Sequence, residues 1–437
     1  MHPALVPLLG LSRQSGFTLA AAGILNAPAS LSRAQVTSTA TALGMDGVAW
    51  QGFAANAPRF AGTARRLLIE GQRTNGLRNP RGQGSPTATY APGAGAGLGS
   101  TLAIHWWLPN RLANLAIDVS PVSDFGMSGV RLRYYGTTST TPGNETLEFE
   151  WRNVFPATSA AAVTGSFFYR LVAGSLPAGM QPTARIITVQ ADGGTPVTVN
   201  PSAPLPMDGT LRRAVHTVTP GANSAFASVG FHMQAWTANT ACDFTVDLFW
   251  PQIELGAFAS TPILPPVNAP AASTRGGDIF GASLAALGIA PNGASTTLWT
   301  ARHTVPATQA SWQALFEIGD GTSANRIGVV RPANLEVARF QRAAGNVQAF
   351  VDVPITSTNM NRYGLSIDGA GRIALSVNGV APVVLSGAPT SGLSTFRLGS
   401  EAFNPGQAPL FGEMGVARAF PFALPDAALS AQVAALP

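Results

Sequence analysis

The sequence predicts an all-β protein, because its composition and its short-range patterns both favour strands. Charged residues make up only 11% of the 437 residues, against about a quarter in ordinary globular proteins. The chain contains 47 Gly and 34 Pro, and short runs rich in Thr, Val and Phe separate them, which is typical of strands joined by turns. A hydrophobic content of 46% excludes a disordered chain. The heptads of a coiled coil are absent.

The middle of the chain predicts a first antiparallel sandwich. In residues 242–255, Cys242, Phe244 and Val246 occupy one face of a strand, and the polar residues between them occupy the other. A period of two indicates a half-buried antiparallel strand. Segments of this kind follow one another closely and fit a two-sheet sandwich or jelly roll; they are 101–108, 129–137, 145–154, 165–173, 184–191, 212–219, 225–236 and 242–255.

A Pro-rich linker and a second antiparallel sandwich are predicted after the first. Pro fits neither a helix interior nor a central strand, so residues 263–275 predict a domain boundary. Beyond it, Asn378-Gly379 supplies the two positive-φ positions of a type I′ hairpin turn, and residues 426–436 predict a short amphipathic helix. The predicted domains are an N-terminal attachment region (1–70), a first sandwich (71–262), the linker (263–275) and a second sandwich (276–437).

The front of the chain is basic. All 26 basic residues of the protein are Arg, and residues 1–82 hold eight of them against only Asp46 and Glu70. Because Arg binds carboxylates through two parallel hydrogen bonds, we predict a docking surface for an acidic protein partner; a solvated face is an equally good interpretation. The candidate docking residues are Arg59, Arg65, Arg66, Arg73, Arg78 and Arg81.

Neither a nucleic-acid partner nor membrane insertion is expected. Apart from Arg65-Arg66 the basic residues of the front segment are spaced out, whereas nucleic-acid binding favours clustered bases with interleaved aromatic residues. Residues 1–25 lack the basic start of a signal peptide and a run of about 20 apolar residues. We therefore expect synthesis in the cytoplasm.

The residues that could carry catalysis predict no enzyme. Glu145, Glu148 and Glu150 cluster in one segment, and glycosidases use two carboxylates. Acidic residues on a solvent-facing strand are usually solubilising, however, and no supporting motif accompanies these. The chain has no Lys for a phosphate-binding P-loop and no nucleophile-elbow motif. The single cysteine, Cys242, excludes an intramolecular disulfide and is expected to pack as a small apolar residue.

No cofactor and no metal site are predicted. Glu317, Asp320 and Asn325 offer the oxygen atoms that calcium prefers. The Asp-Gly sequence at 320–321 equally predicts an ordinary hairpin turn, and this interpretation is favoured. A structural calcium in either sandwich is left open.

Three stretches of the chain resemble phage virion proteins that combine a carbohydrate-binding-type jelly roll with a concanavalin-like (laminin-G-like) sandwich. The first resembles the opening strand and Asn turn of such jelly rolls, the second their closing strand and Pro-rich exit, and the third the end of a concanavalin-like domain. They are APRF with LLIEGQRTNGLRNP (57–60 and 67–80), LFWPQIELGAFASTPILP with TRGGD (248–265 and 274–278), and the part from GRIALSVNGV to the helix 426–436.

This resemblance implies a fold and a role for residues 57–437. The fold would be all-β, with a jelly roll, a concanavalin-like sandwich and an N-terminal attachment region. Such proteins sit in tail fibres or in tail or head spikes of tailed phages and gene transfer agents, contact host glycans and are usually homo-oligomers. We therefore expect a virion-surface protein, assembled in the host cytoplasm, whose partners are other virion proteins, further copies of itself and host cell-surface polysaccharide. A polysaccharide-degrading spike or accessory module, or a capsid decoration protein, are the alternatives.

Aromatic residues are the candidates for glycan binding, because sugar rings stack on aromatic faces. Adjacent residues of a strand face opposite ways, so one of Trp106 and Trp107 is expected in the core and the other outside. Tyr134 poses the same choice with its neighbour Tyr135, and Trp236 precedes a turn. The predicted glycan-binding residues are Trp106, Trp107, Tyr134 and Trp236.

Overall fold

The computed structural model describes residues 16–33, 38–92, 102–109, 113–141, 143–309, 312–345, 347–405 and 408–437. Nearly all of its regular structure is β, and its one α-helix among these residues, α1, is Asp426–Ala434. The predicted fold class is therefore confirmed. No helix in the described ranges is both long and apolar enough to cross a membrane.

The strands are short and numerous. The front of the chain forms β1 (Phe17–Ala21), β2 (Ile24–Leu25), β3 (Ser30–Ser32), β4 (Thr39–Leu43), β5 (Trp50–Phe53), β6 (Phe60–Ala61), β7 (Arg66–Ile69), β8 (Arg73–Asn75) and β9 (Ala88–Tyr90). The middle forms β10 (Ala116–Asp124), β11 (Met127–Thr137), β12 (Asn144–Glu148), β13 (Phe155–Pro156), β14 (Val163–Ser175), β15 (Gln181–Val189), β16 (Pro196–Pro201), β17 (Arg212–Val218), β18 (Phe226–Gln234) and β19 (Ala241–Leu255). The remainder forms β20 (Ile263–Leu264), β21 (Ser273–Arg275), β22 (Ile279–Ser283), β23 (Ser295–His303), β24 (Gln313–Gly319), β25 (Arg326–Arg331), β26 (Val337–Ala344), β27 (Val347–Pro354), β28 (Asn361–Ile367), β29 (Arg372–Val377), β30 (Val383–Ser386), β31 (Thr395–Leu398) and β32 (Gly412–Phe420).

The chain divides into two compact units, and it crosses between them four times. The terminal unit contains the described residues of 1–32, 58–71 and 277–437, and the central unit those of 33–57 and 72–276. This division corrects the predicted domain boundaries. Residues of the predicted attachment region 1–70 are strands of both units, because β1 and β7 pair with β32 whereas β4 pairs with β20.

The central unit is a sandwich of two antiparallel sheets. One has six strands in the order β17-β14-β19-β11-β10-β9, and the other has five, β12-β18-β15-β16 with β13 beside β18. Their inner faces enclose a core that includes Phe167, Phe231 and Phe244, none of which is exposed. A small sheet, β20-β4-β5, contributes Leu264 and Trp50 to an apolar cluster with residues of the six-stranded sheet.

The terminal unit is a second antiparallel sandwich. Its nine-stranded sheet has the order β2-β1-β32-β23-β28-β29-β30, and in addition β7 pairs with β32 and β6 pairs with β7. Its seven-stranded sheet has the order β27-β26-β25-β24-β31-β22-β3. Trp299 stacks between Phe316 and Tyr363 at centroid distances of 5.4 and 5.1 Å in the core. Helix α1 buries Leu429 and Val433 against a separate apolar cluster around Leu298.

Most local predictions are confirmed. Asn378 and Gly379 have φ of 53° and 82°, as the predicted hairpin turn requires, and Cys242 is buried in the core. Two predictions are wrong. Of the predicted strand 101–108, the described residues 102–108 form only a single bridge at Trp107. Residues 263–275 are not a free linker, because β20 and β21 pair within the central unit.

Candidate functional site

One row of residues crosses the outer face of the five-stranded sheet of the central unit. Trp107 pairs with Glu148 in an isolated antiparallel bridge, Glu148 lies opposite Gly230, and Gly230 lies opposite Arg185. Residues directly opposite one another in antiparallel strands share a face. The neighbours Trp106, Leu147, Val229 and Ala184 are core residues, so this row faces outward.

Two tryptophans form an aromatic platform at one end of the row. The rings of Trp107 and Trp151 are stacked, with centroids 5.1 Å apart and planes inclined by 9°. The side chain of Trp107 is half-buried, and that of Trp151 is 42% exposed. The indole Nε1 of Trp107 donates to the backbone oxygen of Glu150 at 3.2 Å, and the guanidinium of Arg152 lies 5.4 Å from the centroid of the Trp107 ring. The platform is therefore held from several sides.

An asparagine turn holds the segment that carries Trp107. Trp106 is buried, and its Nε1 donates to the backbone oxygen of Asn79 at 2.9 Å. The Asn79 side chain in turn donates to the backbone oxygens of Gln83 and Ile104, at 2.9 and 2.7 Å. The Asn turn within residues 67–80 thus anchors a segment that has little strand pairing of its own, and it holds Trp107 on the outer side of the sheet.

Beside the platform, the carboxylate of Glu148 pairs with two arginines. Arg152 Nε lies 3.0 Å from each oxygen of Glu148, and Arg152 Nη2 lies 2.5 Å from Oε1. Arg185 Nη2 approaches the same Oε1 to 3.5 Å. The side chains of Glu148, Arg152 and Arg185 are 1%, 18% and 10% exposed. Burial, followed by the charge of Arg152, lowers the pKa of Arg185 although Glu148 opposes the shift. We call Trp107, Glu148, Trp151, Arg152 and Arg185 the tryptophan–arginine patch.

Two groups next to the patch, the Glu150–Arg78 ion pair and His232, do not change its net charge. Glu150 is buried and accepts two hydrogen bonds from the guanidinium of Arg78, at 3.0 and 2.8 Å, so this pair is neutral. His232 hydrogen-bonds Thr146 at 2.7 Å in the next row of the same face. Burial and nearby Arg185 lower the pKa of His232 to about 4, so its imidazole is neutral at pH 7. The patch therefore carries two guanidinium groups for one carboxylate.

Three of the four residues predicted to bind glycan lie in the core instead of on the surface. Trp106, Tyr134 and Trp236 are at most 1% exposed and belong to the core, so they offer no ring face to a sugar. Trp107 lies in the patch. Simple alternation missed Trp151, because it places Trp151 on the same side as buried Phe149. Strand β12 ends at Glu148, so the alternation no longer holds at residue 151.

The six predicted docking arginines are divided equally between the two units. Arg59 is fully buried and pairs with Glu70 and Asp278, and Arg66 is paired with Glu413. Both belong to the terminal unit, as does exposed Arg65.

The other three docking candidates belong to the central unit. Arg78 is bound to Glu150. Arg73 and Arg81 donate to the backbone oxygens of Leu255 and Pro265. Internal partners thus use most of the arginines that were predicted to face a partner protein.

The acidic residues considered for catalysis are all engaged by donors. Besides Glu148 and Glu150, Glu145 is buried and accepts from the backbone nitrogen of Ala113 at 3.0 Å.

In the terminal unit, the residues considered as calcium ligands form hydrogen bonds with other groups of the protein. Asp320 accepts from Thr322 and Asn325, and Glu317 accepts from Arg326 and the nitrogen of Ala402. Within the described ranges, no three acidic, His or Cys side chains lie close enough to hold a metal ion together.

No protein-family model matches the sequence, and a search of curated proteins gives no match. Among solved structures, the chain is similar in fold to the CBM40 of the Ruminococcus gnavus IT-sialidase bound to α2,3-sialyllactose, at 18% identity, a TM-score of 0.29 and coverage of 34% of this chain and 85% of that one. The chain is also similar in fold to the CBM22-1 xylan-binding domain of Paenibacillus barcinonensis Xyn10C. The identity is 15% and the TM-score 0.25, and the match covers 43% of this chain and 96% of that one.

The tripod from the baseplate of bacteriophage Tuc2009 is a third structure with a similar fold. It shares 13% identity with a TM-score of 0.28, and the match covers 77% of this chain and all of that one. At these scores the likeness concerns the all-β fold alone. A functional conclusion must therefore come from the patch itself.

Proposed function

We propose that this protein is an adhesive structural component of a phage or phage-like particle, a head spike or a tail fibre, which binds host cell-surface polysaccharide through the tryptophan–arginine patch. It would act at the virion surface, after assembly in the host cytoplasm, together with other virion proteins and further copies of itself. The particle assignment is supported by the resemblance of residues 57–437 to virion proteins. The sugar-binding assignment is supported by the patch.

The observation that carries the proposal is the stacked pair of half-buried Trp107 and 42% exposed Trp151 on the outer side of the five-stranded sheet. Sugar rings present C–H faces that pack on indole, and two stacked indoles offer a larger flat aromatic surface than a single exposed ring. Hydrogen-bonding groups beside the rings provide the orientation that a polar ligand needs. Arg152 supplies such donors, because its guanidinium carbon lies 5.4 Å from the Trp107 ring centroid.

The same geometry supports binding without hydrolysis. A glycosidase needs one carboxylic acid that can give up a proton and a second carboxylate that is free to act on the sugar. Glu148 is clamped by two arginines, and Glu150 is clamped by Arg78 and the nitrogen of Trp151. The oxygens of both carboxylates are therefore occupied by donors of the protein itself, and neither carboxylate is free to act on a sugar.

The test is direct binding of the full-length protein to immobilised polysaccharides, with a parallel assay for released oligosaccharide. Trp151→Ala and Trp107→Ala should each weaken binding at least tenfold. Phe350→Ala is a matched control, because Phe350 is an aromatic side chain of the terminal unit with 56% exposure, and it should leave binding unchanged.

Three outcomes would contradict the proposal. Released oligosaccharide would replace the adhesin by a polysaccharide-degrading enzyme. Binding that survives both tryptophan substitutions would exclude the patch. Absence of binding to every polysaccharide, together with unstable particles when the protein is missing, would favour a capsid decoration protein.

A further inference from the structure

The guanidinium of Arg185 is the least satisfied charge of the patch. Its side chain is only 10% exposed, and the contact that it makes among the described residues is the 3.5 Å ion pair with Glu148. An arginine has five N–H donors. Glu148 is already occupied by the three shorter contacts of Arg152, so most donors of Arg185 have no acceptor among the described residues. None of its nitrogens is among the buried atoms without a partner, so these donors are open to solvent and to a ligand.

The charge balance of the patch is also incomplete. Two guanidinium groups face one carboxylate, Glu150 is neutralised by Arg78, and the low pKa of His232 leaves that ring uncharged at neutral pH. Buried charges normally have a partner, because desolvating an unpaired ion is costly. An anion bound beside Arg185 would supply the missing charge and the missing hydrogen-bond acceptors.

The spacing places such an anion next to the aromatic platform. Trp107 and Arg185 lie three strand positions apart in one row, which corresponds to about 14 Å at about 4.8 Å per strand. Between them lie Glu148, whose side chain is only 1% exposed, and Gly230, which has no side chain. This span exceeds one sugar ring, so a sugar stacked on the tryptophans can be linked to a neighbouring sugar at Arg185.

We infer that the patch recognises an acidic polysaccharide, in which one sugar stacks on Trp107 and Trp151 and the carboxylate of an adjoining uronic-acid-type sugar pairs with Arg185. This inference rests on the proposed function and specifies its ligand class. A carboxylate is preferred over a neutral hydroxyl, because it matches the planar guanidinium with two parallel, charge-assisted hydrogen bonds.

The experiment measures binding of the full-length protein to polygalacturonate, alginate and hyaluronan, each beside its carboxyl-reduced derivative. At least one carboxylated polymer should bind, and reduction of its carboxyl groups to hydroxyls should weaken binding at least tenfold. Arg185→Gln should cause a similar loss for the acidic polymer and little change for the reduced one. Arg185→Lys keeps the charge without the planar fork and should restore the affinity only in part.

Two controls separate recognition from general attraction of charge. Arg133→Gln removes an arginine from the opposite sheet of the same unit, where it pairs with Asp243, and should leave affinity unchanged. Dextran sulfate should bind weakly, and Trp151→Ala should not alter that weak binding. Thermal unfolding of each variant establishes that it is folded.

The outcomes distinguish the inference from the proposed function. Equal binding to acidic and reduced polymers would overturn the acidic class and leave a neutral-glycan adhesin. Equally tight binding of dextran sulfate would show a polyelectrolyte effect and also overturn the inference. Absence of binding to any carbohydrate would overturn both.

Discussion

Glu148 and Arg185 meet across Gly230, with 3.5 Å between Glu148 Oε1 and Arg185 Nη2. Both residues lie opposite this glycine in the sheet register. The ion pair therefore reaches across strand β18 at a position that has no side chain. A Cβ at position 230 would come within 2.4 Å of the backbone oxygen of Leu147 and 2.8 Å of Thr146 Cγ2. The glycine therefore permits both the strand approach and the ion pair.

Gly230→Ala is accordingly expected to weaken both the fold and the site. Because the clash involves backbone, β12 must shift, and we expect a loss of about 1–3 kcal/mol in the free energy of unfolding with a weaker polysaccharide affinity. Denaturant unfolding and binding assays measure the two effects. Gly194→Ala is the control, because a Cβ there has no neighbour within 4 Å. Equal behaviour of the two variants would contradict the role of Gly230.

Arg59 is expected to matter for stability rather than docking. It is fully buried and donates to Glu70 at 2.8 Å and to Asp278, so Arg59→Met would remove the guanidinium group that these two buried carboxylates share. Removing one partner of a buried ion pair costs about 3–5 kcal/mol. The exposed neighbour Arg65 is the control, and Arg65→Met should change stability by less than about 0.5 kcal/mol. Urea unfolding decides the matter, and similar midpoints for both variants would contradict this assignment.

The segment 277–437 is expected not to fold by itself, although it covers nearly the whole predicted second sandwich. It lacks β1 and β7, which pair with β32, and β3, which pairs with β22. It also lacks Leu19, Leu67 and Ile69, which are unexposed core residues of the terminal unit. Open strand edges and a missing part of the core favour aggregation.

Expression of this segment beside the full-length chain tests the expectation. The full chain should unfold cooperatively, and the segment should be insoluble or show a broad transition without near-ultraviolet circular dichroism. A soluble segment with a sharp, cooperative transition would contradict the shared construction of the terminal unit.

Glu401 is expected to make the protein less stable as the pH rises. Burial, and then the negative charge of Glu317, raise the pKa of Glu401 from 4.5 to about 7. The folded state therefore binds a proton more tightly than the unfolded state, and stability from this group is present below about pH 4.5 and falls as the pH rises through about 7.

Glu401→Gln removes that pH dependence. At pH 8 it should stabilise the protein by about 1–3 kcal/mol, since each pKa unit corresponds to about 1.4 kcal/mol, and at pH 5 it should have little effect. Asp352→Asn is a control of opposite sign, because the hydrogen bonds from Arg339 lower the pKa of Asp352, so the substitution should slightly destabilise the protein at pH 8. Thermal unfolding at both pH values measures this, and a Glu401→Gln effect independent of pH would contradict it.

Local features of the fold were predictable because local physics determines them. The alternation of Cys242, Phe244 and Val246 identified a strand with one buried face, since side chains of a strand alternate whatever its neighbours are. Asn378-Gly379 identified a turn, because its positive φ angles of 53° and 82° suit these residue types. The helix at Asp426–Ala434 follows a Pro and buries Leu429 and Val433, which lie one turn apart, although exposed alanines on its other sides make it less amphipathic than predicted.

The sequence by itself therefore determined the all-β class and the position of most strands, and the tertiary structure decided how they were assembled. The patch joins residues from positions 107, 148, 151, 152 and 185, and only the register of β12, β18 and β15 places them in one row. The burial of Trp106, Tyr134 and Trp236, and the division of residues 16–71 between two units, depend on the same long-range pairing. Alternation reveals that a residue faces one side of a strand, but which side is covered depends on the strands and sheets that pack against it, which can lie hundreds of residues away in the chain.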